Sequence, residues 1–163
     1  MLIIFSGLPG SGKSTLATAV ARRYSAVHIR IDTIEQAMRD AGHEVDVGGY
    51  LVGYAMAKDN LRLGQTVVAD SVNPIPETRD AWRDIGITAG VQTFEIEVIC
   101  GDPGEHQKRV EHRLPDIVNL QLPSWTDVQA RDYQSWNRAV IKLDTAGRPV
   151  DDCVAELMSK LPQ

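Results

Sequence analysis

The sequence predicts an α/β chain of three layers: a five-stranded parallel sheet between two layers of helices, with a helical lid. Three observations carry that expectation. Strand-like apolar runs alternate with helix-like stretches along the chain, the pattern of strand–helix–strand units. The segment Gly7-Leu8-Pro9-Gly10-Ser11-Gly12-Lys13-Ser14 stands between the first apolar run and the first helical stretch. Asp32, Asp70 and Asp144 each end an apolar run. Right-handed crossovers bring such strand ends to one edge of a parallel sheet, Asp144 farther out than the other two.

Leu2-Ile3-Ile4-Phe5 is the first strand, and a helix opens near Lys13 with Leu16, Val20 and Tyr24 four apart on one face. Ala26 to Ile31 is the second strand, ended by Asp32. Ile34 and Met38 mark a helix over 33 to about 40, broken by Gly42. Asp46 is placed to cap a longer helix that runs to about Leu63 and stops at Gly64. Thr66-Val67-Val68-Ala69 is short and continuously apolar, hence an interior strand. Pro76 opens a helix that carries Trp82 and Ile85 and that Gly86 ends. The fourth strand covers 92–100; Glu95 and Glu97 alternate with Phe94, Ile96 and Val98, which points to one end in solvent. Helices over 104–113 and 124–137 form the lid, about 104–137, and Ser124 with Asp127 makes a capping box. Val140-Ile141-Lys142-Leu143 is the fifth strand, and a last helix buries Val154, Leu157, Met158 and Leu161.

The 163 residues, 43% hydrophobic and 24% charged, suit one globular domain. No apolar stretch approaches the ~20 residues of a membrane span. The first apolar run is too short for a signal peptide, so a cytoplasmic protein is expected, with no membrane association and no obligate protein partner evident. The net charge of −5 argues against broad nonspecific nucleic-acid binding. Cys100, Cys153 and the four histidines lack metal-ligand spacing. The three tryptophans read as core or lid packing.

Residues 7–14 fit G-x-x-x-x-G-K-[ST], the phosphate-binding P-loop, which a chain of this length matches by chance roughly once in 200. Glycines let successive amides curl inward as an anion nest, and the adjoining helix adds its positive end. Gly7, Leu8, Pro9, Gly10, Ser11 and Gly12 are expected to wrap the phosphates. Lys13 is expected to bridge the β- and γ-phosphates, Ser14 to ligate Mg²⁺, and Thr15 to lie beside the α-phosphate. ATP and Mg²⁺ are therefore the expected cofactors. The Lys13 side chain is expected to be exposed in the empty loop, so its removal is expected to leave stability almost unchanged.

Phosphoryl transfer to a hydroxyl also needs a group to take the proton. Asp32 is the candidate base; the competing use of the same carboxylate is to cap the next helix. Asp70 is placed to serve either Mg²⁺ or the substrate, against a plain turn role. It lacks an adjacent acid, which disfavours the arrangement in which a neighbouring Glu activates water for hydrolysis. Arg109 and Arg113, four apart on the expected lid helix, are candidates to neutralise charge on the transferring phosphate, Arg113 first. The alternative is a solvated basic face beside Glu105 and Glu111.

The chain resembles the small P-loop kinases grouped with phage-type polynucleotide 5′-kinase domains, zeta toxins and related AAA-type small-molecule kinases. The resemblance covers most of the chain. It rests on GLPGSGKST, RIDTIEQAMR and VVADSVNPIPETRDAW, and continues through HQKRVEHRLPDIV and LPSWTDVQARDYQSW. IKLDTAGRP is similar to the adenine-side loop of nucleotide and gluconate kinases. The resemblance implies Asp32 as base, Asp70 in the acceptor site, and Arg113, then Arg109, as the lid arginine. It implies that Gly147, Arg148 and Pro149 contact the nucleotide. Glu35 stands where many relatives have an arginine that holds a phosphate on the acceptor. No phosphatase domain comes after the kinase segment, so a complete end-healing enzyme is not expected.

The leading expectation is an ATP-dependent phosphotransferase acting on a hydroxyl of a small molecule. The rivals are a polynucleotide or nucleoside 5′-hydroxyl kinase and an ATP-binding regulatory module without transfer. A small GTPase is disfavoured because no N-K-x-D guanine motif occurs. Asp32, Glu35 and Asp70 together favour a neutral or cationic alcohol as acceptor. Arg30, Arg39 or Arg79 would reverse that if one turned into the pocket, and Arg79 is the residue expected to bind substrate.

Overall fold

In the computed structural model, which describes residues 1–162, β1 (Leu2–Ser6) is the middle strand of the sheet. Both its faces are covered: Ile3 and Phe5 point to one core cluster, Leu2 and Ile4 to the other. The remaining strands are β2 (Val27–Arg30), β3 (Val67–Asp70), β4 (Thr93–Ile99) and β5 (Ile141–Asp144). Their order is β2-β3-β1-β4-β5 and every pairing is parallel. The first cluster packs against α1 (Lys13–Arg23) and α7 (Val150–Lys160). The second packs against α3 (Gly48–Arg62) and α4 (Pro76–Thr88). The expected α/β architecture of three layers is therefore the observed one. Helices α1 and α4, which leave the neighbouring strands β1 and β3, lie on opposite faces. That opens a crevice at the carboxyl ends of those two strands, where ligands bind in open parallel sheets.

Several boundaries differ from the sequence reading, each for a local reason. The helix after β2, α2 (Ile31–Asp40), starts two residues early. Its N-cap is Arg30, so Asp32 lies in the first turn and caps nothing. Asp46 is not a cap either, since Val47 precedes α3 without a side-chain bond. Gly86 lies inside α4. A Cβ there would sit 1.9 Å from Thr93 Oγ1, so this glycine lets the helix lie against β4 rather than ending it. The acids of β4 do not face solvent. Arg138 grips Glu95 with two bonds of 2.8 and 2.5 Å and reaches Asp80 at 2.6 Å, while Glu97 is buried.

The stretch expected to form a lid contains α5 (Pro103–His112), capped by Asp102, and α6 (Trp125–Ala130), which opens with the expected Ser124–Asp127 capping box. α6 is far shorter than 124–137. Arg79, buried to 1% exposure, explains the early stop. Its guanidinium donates to the carbonyls of Asn73 (2.9 Å), Pro74 (3.1 Å), Gln134 (2.7 Å) and Ser135 (3.3 Å). It also lies over the rings of Trp136 and Tyr133, 4.3 and 5.0 Å from their centroids. The chain after Ala130 satisfies a buried cation with carbonyls that a helix would have used internally. Arg79→Met, which keeps much of the side-chain volume, is expected to cost about 3 kcal/mol because those carbonyls lose their donor. Urea unfolding measures it, and an unchanged midpoint would contradict the clamp.

Candidate active site

The P-loop connects β1 to α1 and curls through Gly10 and Gly12, whose φ angles of 84° and 91° are in the left-handed region. At Gly10 a Cβ would also meet Val110 Cγ2 at 2.5 Å, because α5 rests directly on the loop. The first amides of α1, from Lys13 to Thr15, have no partner inside the helix, and all three residues line the open cleft. Thr145, just past β5, fixes the loop from the other side by donating to Ser11 O at 2.8 Å. His106 of α5 holds Pro9 O through Nε2 at 2.8 Å. Neither brace was legible in the sequence. Thr145 carries only a position at a strand end, and His106 no distinguishing spacing.

Lys13 is buried, contrary to expectation, at 6% exposure. Its ammonium is hydrogen-bonded to Asp70 Oδ1 and lies 3.3 Å from Ser14 Oγ. The remaining carboxylate oxygen, Asp70 Oδ2, is buried with no hydrogen-bond partner among the described residues. His28 Nε2 is 3.6 Å from it and Arg30 Nε is 3.8 Å from it. Burial alone would raise the Asp70 pKa, but Lys13, His28 and Ser14 hold it well below the usual carboxylate range. An oxygen-only pair, one carboxylate with a bare oxygen and one hydroxyl, fits Mg²⁺, which takes few protein ligands and keeps water and phosphate for the rest. Among the described residues no three His, Cys, Asp or Glu side chains form a metal cluster.

One open cleft of about 2140 Å³ runs from the P-loop past α2 to α5 and the stretch that follows it. Asp32, in the first turn of α2, lines it, as do Glu35 and Arg113. Arg113 is not on a helix face as the sequence suggested; it is the extended C-cap of α5. Burial pushes its pKa down, the nearby Asp32 charge opposes that, and its Nε has no partner among the described residues. Arg109, also on the cleft, is already committed to Thr145 Oγ1 (2.7 Å), Thr145 O (2.9 Å) and Glu105 (2.5 Å). Of the two arginines expected to serve the transferring phosphate, Arg113 is thus the one near Asp32.

The other expected site residues divide. Leu8, Pro9, Gly10, Gly12, Ser14 and Thr15 line the cleft, and so does Arg148. Gly147 donates its amide to Glu105 at 2.8 Å, and Pro149 is the N-cap of α7. Gly7 and the buried Ser11 form the floor of the loop. Asp144 leaves the site, as it accepts from the amides of Gly101 (2.8 Å) and Ala146 (2.9 Å). Arg79 is not brought to the cleft, because its clamp on the four carbonyls consumes the guanidinium. The three-carboxylate acceptor pocket does not form as expected. Asp70 is paired with Lys13, and Glu35 is bonded to Arg39 at 3.2 Å and packs against Gly49 of α3. Of the three arginines that could reverse the acceptor preference, Arg30 and Arg39 both line the cleft, Arg39 paired with Glu35.

An AAA domain family model matches residues 2–132. No curated protein matches the sequence. Among solved structures, a candidate kinase from Chloroflexus aurantiacus j-10-fl superposes with a TM-score of 0.73 at 17% identity, covering 99% of this chain and 98% of that one. A gluconokinase from Sinorhizobium meliloti 1021 gives 0.68 at 18% identity, with 96% and 89% covered. The Mycobacterium tuberculosis APS kinase in complex with AMPPNP and APS gives 0.68 at 18% identity, with 97% and 95% covered. At such identities the likeness establishes the fold.

Proposed function

The chain belongs to the AAA domain family, and on that premise we propose that it is an ATP-dependent phosphotransferase that moves the γ-phosphoryl group to a hydroxyl of a small molecule. The observation that carries the reading is that one cleft is lined both by the P-loop lysine, which is paired to the buried Asp70, and by Asp32 with Arg113 near it. That the similar folds include a gluconokinase and an APS kinase supports it at the level of fold only.

In this mechanism Lys13 exchanges the Asp70 carboxylate for the β- and γ-phosphates, while the P-loop amides hold the phosphate oxygens. Ser14 and Asp70 would hold Mg²⁺, which supplies charge neutralisation on the phosphates. Asp32 orients the acceptor hydroxyl. As the acceptor oxygen bonds to the γ-phosphorus and the bond to the ADP oxygen breaks, Asp32 takes the hydroxyl proton. Arg113 aims at the equatorial oxygens, where charge spreads in the transition state. Arg148 lines the cleft and serves the adenine base, with Gly147 and Pro149 shaping the turn that carries it. The lid begins with α5; its moving part ends before Tyr133, because Arg79 and Arg138 fasten the chain beyond that point to the body. Closure excludes water, which would compete with the acceptor.

A module that merely binds ATP would need neither a base nor an arginine opposite it. The experiment is a screen of hydroxyl acceptors with γ-labelled ATP, and then Arg113→Ala with the best one. The variant is expected to lower kcat by about 10²-fold or more while changing the KM for ATP by less than about threefold, since its charge is needed in the transition state. Equal effects on both constants would count against the role given to Arg113.

A further inference from the structure

Arg30 ends β2 in direct register with Asp70 of β3, and only 18% of its side chain is exposed. The strand pair therefore fixes the guanidinium at the acceptor side of the Lys13–Asp70 pair. Its two terminal nitrogens are bonded to Asp116, Nη1 to Oδ2 at 2.5 Å and Nη2 to Oδ1 at 3.0 Å. This is the fork geometry with which arginine binds a planar or tetrahedral oxyanion. Asp116 comes from the stretch between α5 and α6, and 67% of its side chain is exposed. An exposed carboxylate on an irregular segment is resolvated when it lets go, so an oxyanion that matches the same fork can take its place. The third donating nitrogen, Arg30 Nε, is buried, lies 3.8 Å from Asp70 Oδ2 and has no hydrogen-bond partner among the described residues. Of the other carboxylates around this end, Asp70 is paired with Lys13 and Glu35 is tied to Arg39 and packs against Gly49 of α3, while Asp32 acts on Arg30 from the first turn of α2.

We propose that Arg30 is the anion-binding residue of the acceptor subsite and that Asp116 occupies its fork in the ligand-free protein as a stand-in carboxylate. The acceptor is then a hydroxyl compound that carries its own oxyanion, a phosphate, sulfate or carboxylate group. This rests on the phosphotransferase reading of the same cleft and reverses the neutral or cationic acceptor that the acidic residues alone suggest. The substrate's anion displaces Asp116 and takes the two Nη donors. Asp32 remains free for the hydroxyl at the other end of the same molecule.

The test uses the full chain saturated with Mg²⁺ and AMPPNP, so that the P-loop is filled. Inorganic phosphate is titrated in at constant ionic strength and monitored by calorimetry. Wild type is expected to bind phosphate saturably. Asp116→Asn, a change at an exposed side chain, is expected to bind it at least about fivefold tighter, since the internal competitor is gone. Arg30→Gln is expected to bind it at least about tenfold more weakly than wild type, with AMPPNP affinity unchanged. The proposal is overturned if phosphate does not bind the nucleotide-loaded wild type, if Arg30→Gln binds it equally, or if Asp116→Asn binds no tighter. Failure of AMPPNP itself to bind overturns the phosphotransferase reading instead, and the two failures are separated in one experiment.

Discussion

Lys13→Ala is expected to lower phosphoryl transfer by about 10²-fold or more and, unlike a change at an exposed loop residue, to destabilise the ligand-free protein by about 3 kcal/mol. The first effect comes from losing the point charge on the β- and γ-phosphates. The second comes from burial. Asp70 is 1% exposed and Lys13 is its main partner, so alanine leaves a buried carboxylate with Ser14 and, at 3.6 and 3.8 Å, His28 and Arg30 as its remaining neighbours. The pH dependence changes sign. With Lys13 present, the folded Asp70 pKa lies below its unfolded value. Its contribution is complete above the unfolded value of about 3.9 and is lost as pH falls through the lower folded one. Without Lys13, burial raises the folded pKa, so stability is lost as pH rises above about 4. Urea midpoints across pH measure this. Adding Asp70→Asn to Lys13→Ala should restore most of the stability and none of the turnover. A single variant as stable as wild type would show that the buried pair contributes nothing.

Asp32→Asn should behave in the opposite way, losing about 10²- to 10⁴-fold in turnover with the fold intact. The side chain lines the cleft and caps no helix, since Arg30 occupies the N-cap of α2. Asparagine keeps its size and polarity but has no basicity, so the acceptor can still bind while its proton has nowhere to go. Nucleotide affinity and the thermal midpoint should stay close to wild type. Equal turnover in the two proteins would remove Asp32 from the reaction.

The legible features of the sequence are local ones. The P-loop, its strand and its helix lie within about twenty residues, and the continuous apolar run of β1 against its flanking glycines announces a buried parallel strand. The capping box at Ser124 is a signal contained in four consecutive residues, and the structure has it. The features of the site that sequence reasoning missed involve partners far apart in the chain. Arg30 meets Asp116 across 86 residues, and Arg79 reaches Gln134 across 55. Spacing and propensity carry no information about either pair. Arg79 looks like a substrate ligand in the sequence because a cation near a strand end and an expected cleft is a reasonable candidate; its four carbonyls come from loops whose approach only the fold determines. Gly86 misleads for a related reason. A glycine late in a helical stretch marks a helix end or a close approach, and the neighbour that decides, Thr93, lies on another element. No described helix is long and apolar enough to cross a membrane.

The most direct test of the transfer reading tracks the fate of the γ-phosphoryl group. Wild type and Asp32→Asn would be incubated with ATP, Mg²⁺ and acceptors identified in the screen, and the products resolved by ³¹P NMR. The predicted result is a phosphate monoester that accumulates in step with ADP for wild type and is absent for the variant. Release of inorganic phosphate alone, at a rate indifferent to acceptor and to Asp32, would contradict it.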